Sequence, residues 1–164
     1  MSPADDAVLA AGDRASLDLA HQRLLDRTRH RLCIYLPILE GGVLESEAIL
    51  TSVRRIATSG RRASIRILTH DAVRALRESH RLILLAQRLP SAIAIRVPTE
   101  EADLRYPSAF VTDNASGFLF RPLASRYEAR GHLDALGEAS HLQGYFDEVW
   151  ERSEAAWEIR PLGI

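Results

Sequence analysis

The chain has 164 residues, of which 46% are hydrophobic and 26% are charged, and this composition is typical of a soluble globular protein with one domain. Its formal net charge is −1, which argues against a general nucleic-acid or anionic-membrane binder, because such proteins neutralise many phosphates at once. All 21 basic residues are arginine, so a phosphate-binding loop with its lysine and a Schiff-base lysine are both excluded.

The first residues and the single cysteine bear on the cellular location of the protein. Cys33 is the single cysteine, so neither an intrachain disulfide nor a cysteine-rich metal site can form. Residues 1–14 lack the basic start and apolar stretch of a signal peptide, and we predict them to be a disordered lead-in. No apolar run approaches the ~20 residues that span a bilayer. We therefore expect a cytoplasmic protein with a single domain at 15–164.

The first part of the chain alternates helices and strands. The spacing of apolar residues predicts helices from Ser16, at 46–59 and at 72–89, separated by strands at 32–36, 64–69 and 93–97. Gly60 is placed to end the second helix, Asp71 to cap the third and Pro90 to close it. This alternation favours parallel strands joined by right-handed crossovers.

The pattern changes after Pro98. Short apolar strands at 109–112 and 117–121 flank a polar turn, which predicts a hairpin. A loop is predicted from Pro122 to about Leu136, followed by a last amphipathic helix. The expected fold is therefore α/β, with a mixed, mainly parallel sheet flanked by helices and with a C-terminal hairpin and helix.

One segment carries a resemblance to a known family. Tyr106–Asp113, with the sequence YPSAFVTD, resembles the H-x-K-x-x-x-x-D motif of phospholipase D in its length, apolar strand and terminal aspartate. Residues 59–68 resemble the glycine turn before that family's second strand, and 145–150 resemble its closing helix with Phe and Trp. Residues 117–122 lie where the family has its Gly-Ser-x-Asn segment. The resemblance covers about residues 16–153 and implies one half of a phospholipase-D-like domain.

The same resemblance implies that the family's chemistry is lost. In the family, the histidine of the motif attacks phosphorus and the lysine holds the phosphate oxygens; Tyr106 and Ser108 stand at these positions, and only Asp113 matches. An unperturbed tyrosine has a pKa of ~10, so Tyr106 without a neighbouring cation is a poor nucleophile. Any residual catalysis would be assigned to Tyr106 and Asp113, whereas the simpler interpretation is that Tyr106 only begins a strand.

A ligand cleft is expected at the carboxyl ends of the parallel strands. His70 and Asp71 follow the second strand, while Tyr106 and Arg121 belong to the hairpin that the fold brings to the same edge. Arg121 is the natural contact for an anion, and a protonated His70 would add a second donor. The structural alternative is that Asp71 caps a helix and His70 is a turn residue.

The third predicted helix carries four arginines within a narrow arc by the ~3.6-residue period, namely Arg74, Arg77, Arg81 and Arg88. This face either binds an acidic partner or a phosphate-bearing ligand, or is a solvated surface. His80 lies on the apolar face and is predicted to be a core residue with one hydrogen bond. The six histidines lack paired spacing, so we expect no metal and no other cofactor.

The sequence favours a non-catalytic binding or assembly module on a degenerate phospholipase-D-like fold. One alternative is an enzyme that uses Tyr106, His70 and Asp113 on a phosphate- or acyl-containing substrate. A second is an accessory domain that regulates an acetyltransferase, because the chain is also similar to uncharacterised bacterial domains sometimes joined to acetyltransferase-type modules. Larger family members pair two halves, so we expect a homodimer, with a small anionic ligand or a protein as its further partner.

Overall fold

The computed structural model describes residues 6–159, and its strands form one eight-stranded sheet in the order β1-β7-β6-β5-β2-β3-β4-β8. The strands are β1 Val8–Ala11, β2 Arg31–Tyr35, β3 Ser64–Leu68, β4 Ile93–Val97, β5 Ala109–Thr112, β6 Phe118–Arg121, β7 Ala129–His132 and β8 Glu154–Ala155. The helices are α1 Arg14–Arg27, α2 Glu47–Ala57, α3 Ala72–Arg77, α4 Arg81–Arg88, α5 Glu101–Leu104 and α6 Leu136–Arg152.

The strand pairings confirm a mixed sheet flanked by helices, but not a mainly parallel one. Only the pairs β2–β3 and β3–β4 are parallel, and the other five pairs are antiparallel. The predicted hairpin and closing helix are present as β5, β6 and α6. The hairpin lies directly beside β2 and brings β7 and β1 with it, so this half of the sheet is antiparallel throughout.

Polar side chains set the beginnings of three helices. Asp13 accepts a hydrogen bond from the Ser16 N–H at 2.8 Å and begins α1, and Ser46 caps α2 in the same way. Asp71 accepts from the Arg74 N–H at 3.0 Å and begins α3, as the sequence predicts. Each of these side chains satisfies a backbone donor that has no partner within its helix.

The sheet separates two hydrophobic cores. Side chains alternate across β2, so Leu32 and Ile34 face the larger core under α1, α2 and α4, whereas Cys33 and Tyr35 face the smaller core. The smaller core is rich in aromatic rings and is covered by α6. The two faces of the sheet therefore have different chemistry, aliphatic on one side and aromatic on the other.

The predicted third helix is divided into α3 and α4. Ser79 has a φ of 55°, in the left-handed region that interrupts an α-helix. His80 then begins α4, since its Nδ1 accepts from the Leu82 N–H at 3.2 Å while its Nε2 donates to the Val43 carbonyl at 3.1 Å. His80 is only 2% exposed, which confirms it as a core histidine, but it has two hydrogen bonds rather than one.

The same break corrects the predicted arginine face. Arg74 and Arg77 belong to α3 and Arg81 and Arg88 to α4, so the four do not share one helical arc. Arg74 pairs with Glu78, the residue that directly follows α3. We therefore do not assign a ligand to this surface.

Two segments predicted to lack regular structure contain strands. Residues 1–14 are predicted to be disordered, yet Val8–Ala11 pairs with β7, which itself lies inside the predicted loop after Pro122; residues 1–5 lie outside the described part. The absence of a side chain at Gly131 allows β7 to lie close to β6, because a Cβ there would lie 2.2 Å from the Phe118 carbonyl oxygen of β6. Within residues 6–159, no helix has the length and apolar character needed to cross a membrane.

Candidate functional site

Strand order brings two of the candidate residues, His70 and Tyr106, together with Tyr35 at the carboxyl ends of β2 and β3. Tyr35 ends β2, His70 follows β3, and Tyr106 precedes β5, which runs antiparallel to β2 with Phe110 opposite Tyr35. The Tyr35 hydroxyl and His70 Nε2 share a hydrogen bond of 2.9 Å. The ring centroids of Tyr35 and Tyr106 are 5.1 Å apart in an edge-to-face arrangement.

Helices α5 and α6 complete this group. Tyr145 of α6 packs on Tyr106 with 4.6 Å between ring centroids. Asp103 of α5 is 4% exposed and is held by Arg152, whose Nη2 and Nε donate to its two carboxylate oxygens at 2.8 and 3.1 Å. We call these residues the carboxyl-edge cluster, and its members are Tyr35, His70, Asp103, Tyr106, Tyr145 and Arg152.

Sequence reasoning names only His70 and Tyr106 of this cluster. Tyr35 was detectable as the last residue of a buried strand, since that position faces the edge where ligands bind in open sheets. Asp103 and Arg152 are 49 residues apart and meet only because α6 returns across the sheet. No local pattern marks such a pair.

Burial sets the protonation of the cluster. It raises the pKa of Tyr106, and with Tyr145 and Asp103 nearby it raises the pKa of Tyr35 further. Burial, followed by the Asp103 charge, raises the pKa of Tyr145 to about 12. Burial lowers the pKa of His70, and the Asp103 carboxylate opposes that change only in part. At neutral pH the phenols are therefore protonated and His70 is neutral, so these groups offer neither a phenolate nucleophile nor a free cation.

Ser108 stands at the position of the lysine in the phospholipase D motif, and its hydroxyl binds a backbone carbonyl. Its hydroxyl donates to the Pro122 carbonyl at 2.7 Å, and the residue is 7% exposed. This hydrogen bond ties the start of β5 to the segment after β6. Ser108 therefore stabilises the hairpin, and its hydrogen bond with Tyr106 of the cluster opposes in part the effect of burial on the pKa of that phenol.

Asp113 lies at the other end of β5 from Tyr106. Its Oδ1 accepts from the Ala115 N–H at 2.9 Å and from the Gly117 N–H at 3.0 Å, which stabilises the hairpin turn. Because the whole of β5 separates the two residues, the structure does not bring Asp113 together with Tyr106 and His70. The constellation that the enzyme alternative requires is not assembled.

Arg121 is buried rather than exposed to a ligand. It is 2% exposed, its Nη2 donates to the carbonyls of Ala124 at 2.9 Å and Arg126 at 2.7 Å, and it pairs with Glu40 at 3.2 Å. Its side chain lies on the α1 side of the sheet, where burial and the Arg121 charge together lower the pKa of His21 to about 3. Arg121 therefore does not join the cleft predicted from the sequence.

Where the sequence predicts a ligand cleft, the structure has a small groove. His70 and Asp71 line a groove of about 210 Å³, together with residues after β4 and around β8. Tyr106 packs inside the carboxyl-edge cluster and is not among the residues that line it. Among residues 6–159, no group of three or more histidine, cysteine or acidic side chains is arranged to hold a metal ion.

A second cleft, of about 490 Å³, lies at the opposite edge of the sheet. It is lined by the end of α1, the start of β2 and the turn of the hairpin, and we call it the arginine cleft after Arg27, Arg29, Arg31 and Arg62. Sequence reasoning missed this site. The run Arg27-Thr28-Arg29-His30-Arg31 was a visible signal, but its meeting with Arg62 and the hairpin turn depends on strand order.

Comparison with known proteins gives a family and a fold. Residues 13–162 match the family described as "Domain of unknown function (DUF7931)". No curated protein sequence matches the chain.

Solved structures with the same fold have low sequence identity to the chain. The archaeal chromatin protein TrmBL2, whose structure is described as showing a novel mode of DNA binding, has a TM-score of 0.66 and 15% identity, over 92% of this chain and 53% of its own. Nuc of Salmonella typhimurium, a phospholipase D family member, has a TM-score of 0.54 and 10% identity, over 84% and 89%. Phosphatidylserine synthase of Haemophilus influenzae Rd KW20 has a TM-score of 0.53 and 10% identity, over 90% and 39%. The chain thus spans about half of the chromatin protein, and these likenesses establish the phospholipase-D-like fold.

Proposed function

This chain belongs to the DUF7931 family, and we propose that it is a non-catalytic binding module on a phospholipase-D-like fold. The observation that carries this proposal is the environment of Tyr106, which stands at the position of the nucleophilic histidine in the phospholipase D motif. Its ring packs against Tyr35 and Tyr145, and burial raises its pKa. A phenol that is harder to ionise than free tyrosine is a poor nucleophile at neutral pH.

The surroundings of Tyr106 also lack the means to bind a phosphodiester. Phosphoryl transfer needs cationic groups that hold the oxygens on which charge develops. Arg152, the arginine of the carboxyl-edge cluster, has its charge paired with Asp103, since its Nε and Nη2 donate to the two carboxylate oxygens. This closed ion pair supports a structural role for the cluster, which joins α5 and α6 to the sheet.

The enzyme alternative requires a general base that can take the proton of Tyr106. A catalytic Tyr106 would need His70 as a general base, yet His70 Nε2 is engaged by the Tyr35 hydroxyl. Regulation of an acetyltransferase stays a prediction of the sequence resemblance.

Hydrolysis of a chromogenic phosphodiester tests the proposal. We expect no turnover above the uncatalysed rate, because burial raises the pKa of Tyr106 and the charge of Arg152 is paired with Asp103. The variants to compare are Tyr106→Phe and a matched control, Tyr127→Phe, which removes a hydroxyl outside the cluster. Turnover that is lost in Tyr106→Phe but kept in Tyr127→Phe would establish the enzyme alternative and contradict the proposal.

A further inference from the structure

We infer that the arginine cleft binds a compact anion that carries at least two phosphate groups. The inference rests on the proposed binding role and gives it a site and a ligand class. Four arginines, three from residues 27–31 and one at position 62, line one cavity of about 490 Å³. Arginine binds phosphate oxygens in pairs through parallel N–H donors, so several arginines around one cavity suit adjacent phosphates.

The charges of the cleft are not neutralised by the protein. Within the described part of the chain, none of the four arginines forms an ion pair, whereas Arg66 pairs with Asp147 at 2.7 Å and Arg130 with Glu138 at 2.6 Å. Exposed arginines that share one cavity without ion-pair partners repel one another to the extent that solvent does not screen their charges. A bound polyanion would remove that repulsion and gain the unused hydrogen-bond donors.

The fold does not need these arginines to complete α1. A helix ends with carbonyl groups that lack partners, and basic side chains often bind them. Here Arg55 already does so, since it donates to the Leu25 carbonyl at 2.7 Å and the Thr28 carbonyl at 2.9 Å. Arg27 and Arg29 therefore remain available to a ligand.

The opposite wall of the cleft carries one carboxylate, that of Asp113, against the four arginines. Asp113 lines the cavity, but its carboxylate accepts from the Ala115 and Gly117 N–H groups at 2.9 and 3.0 Å. Asn114, with a φ of 59°, and Ser116 line the cavity beside it. Amide and hydroxyl side chains of this kind donate hydrogen bonds to anions.

The boundaries of the cleft favour a compact ligand over an extended strand. An adjoining cavity, shared through Arg31 and Asn114, contains the ion pair of Arg66 with Asp147 and the carboxylate of Glu151. A nucleic-acid strand that continued along this surface would meet these carboxylates, and the chain as a whole has a net charge of −1. A diphosphate group, whether free or as part of a nucleoside diphosphate, does not have to continue along this surface.

Calorimetric titration with pyrophosphate provides the test. The probe should bind the unaltered chain, and Arg31→Ala/Arg62→Ala should weaken it at least tenfold. The matched control, Arg74→Ala/Arg77→Ala, removes the same charge from α3 and should leave the affinity within twofold. Equal losses in the two double variants would overturn the inference, because the effect would then be one of net charge. Circular dichroism should show that both variants are folded.

Nuclear magnetic resonance locates the ligand. Pyrophosphate should shift the backbone amide resonances of residues 27–31 and 113–116, and shifts confined to His70 and Asp71 would overturn the inference.

Adenosine diphosphate binding more tightly than pyrophosphate would identify a nucleotide as the source of the diphosphate, and adenosine alone should not bind. A single-stranded oligonucleotide that binds the cleft more tightly than both would replace the compact anion with nucleic acid. Absence of pyrophosphate binding would overturn only this inference, whereas Tyr106-dependent turnover would overturn the proposed function.

Discussion

Single residues change role according to which face of the sheet receives the side chain. Arg121 ends β6 at the carboxyl edge, where sequence reasoning places an anion contact. Its neighbour Phe120 packs beside the aromatic core, so Arg121 points to the opposite face and is buried near α1. The sequence identifies the edge of the sheet correctly for His70 and Tyr106, but the face at the end of a short strand depends on the pairing register.

The buried His21 predicts how stability depends on pH. Burial and the Arg121 charge lower the pKa of His21 to about 3, so the unfolded chain binds a proton that the folded chain does not. Stability from this group is present above the unfolded pKa of ~6.5 and is lost as pH falls below it, by at most about 1.4 kcal/mol per pH unit. Urea denaturation between pH 7 and 5 should show this loss.

The variants His21→Gln and His141→Gln separate His21 from the other histidines. His21→Gln should reduce the slope of unfolding free energy against pH, because the group that titrates on unfolding is gone. His141 is exposed on α6, so His141→Gln should keep the slope. An unchanged slope in His21→Gln would contradict the assignment.

Elements with regular apolar spacing could be predicted from the sequence, and those without it could not. The bounds of β4 and β5 agree with the predicted strands at 93–97 and 109–112. Strand β7 has the sequence ARGH and only one buried residue, Gly131, so no alternation marks it. The two residues of edge strand β8 are both exposed, so pairing of the backbone rather than burial of side chains places that strand. Edge strand β1 buries one large side chain, Leu9, which is too little to form a periodic pattern.

Gly131 makes the pairing of β7 sensitive to one methyl group. A Cβ at this position would lie 2.2 Å from the Phe118 carbonyl oxygen and 2.9 Å from the Leu119 Cα, so Gly131→Ala must push β7 away from β6. We expect the free energy of unfolding to fall by roughly 1–3 kcal/mol, as in overpacked cores. Denaturant titration measures it, and Gly137→Ala is the matched control because a Cβ there meets nothing within 4 Å. Equal effects of the two changes would show that β7 is not closely packed.

The carboxyl edge of the whole molecule has the features of a surface between two copies. Three large apolar side chains are exposed at this edge: Ile38 and Leu123 in loops, at 40% and 45%, and Leu104 at the end of α5, at 43%. Ile38 follows β2, Leu104 precedes β5 and Leu123 follows β6. The order and direction of these strands place all three residues at the carboxyl edge of the sheet. A second copy of the chain would cover them, in line with the expectation that one half pairs with another.

Light scattering tests this dimer. At micromolar concentration the mass should be about twice the 18.3 kDa of one chain. Leu104→Arg/Leu123→Arg should give monomers, because it places charge in the apolar contact. Leu19→Arg, on α1 and 65% exposed, should leave the dimer intact. A monomer for the unaltered chain at high concentration would contradict the prediction.

The antiparallel course of β5 has a consequence for how such a dimer would meet its ligands. The strand separates the carboxyl edge from the arginine cleft by four residues, or roughly 13 Å of extended chain. Two copies joined through their carboxyl edges would therefore present their arginine clefts at the two far ends of the assembly. The dimer would be bivalent, and an anion displayed repeatedly on one large partner would be held by avidity rather than by the affinity of either cleft alone.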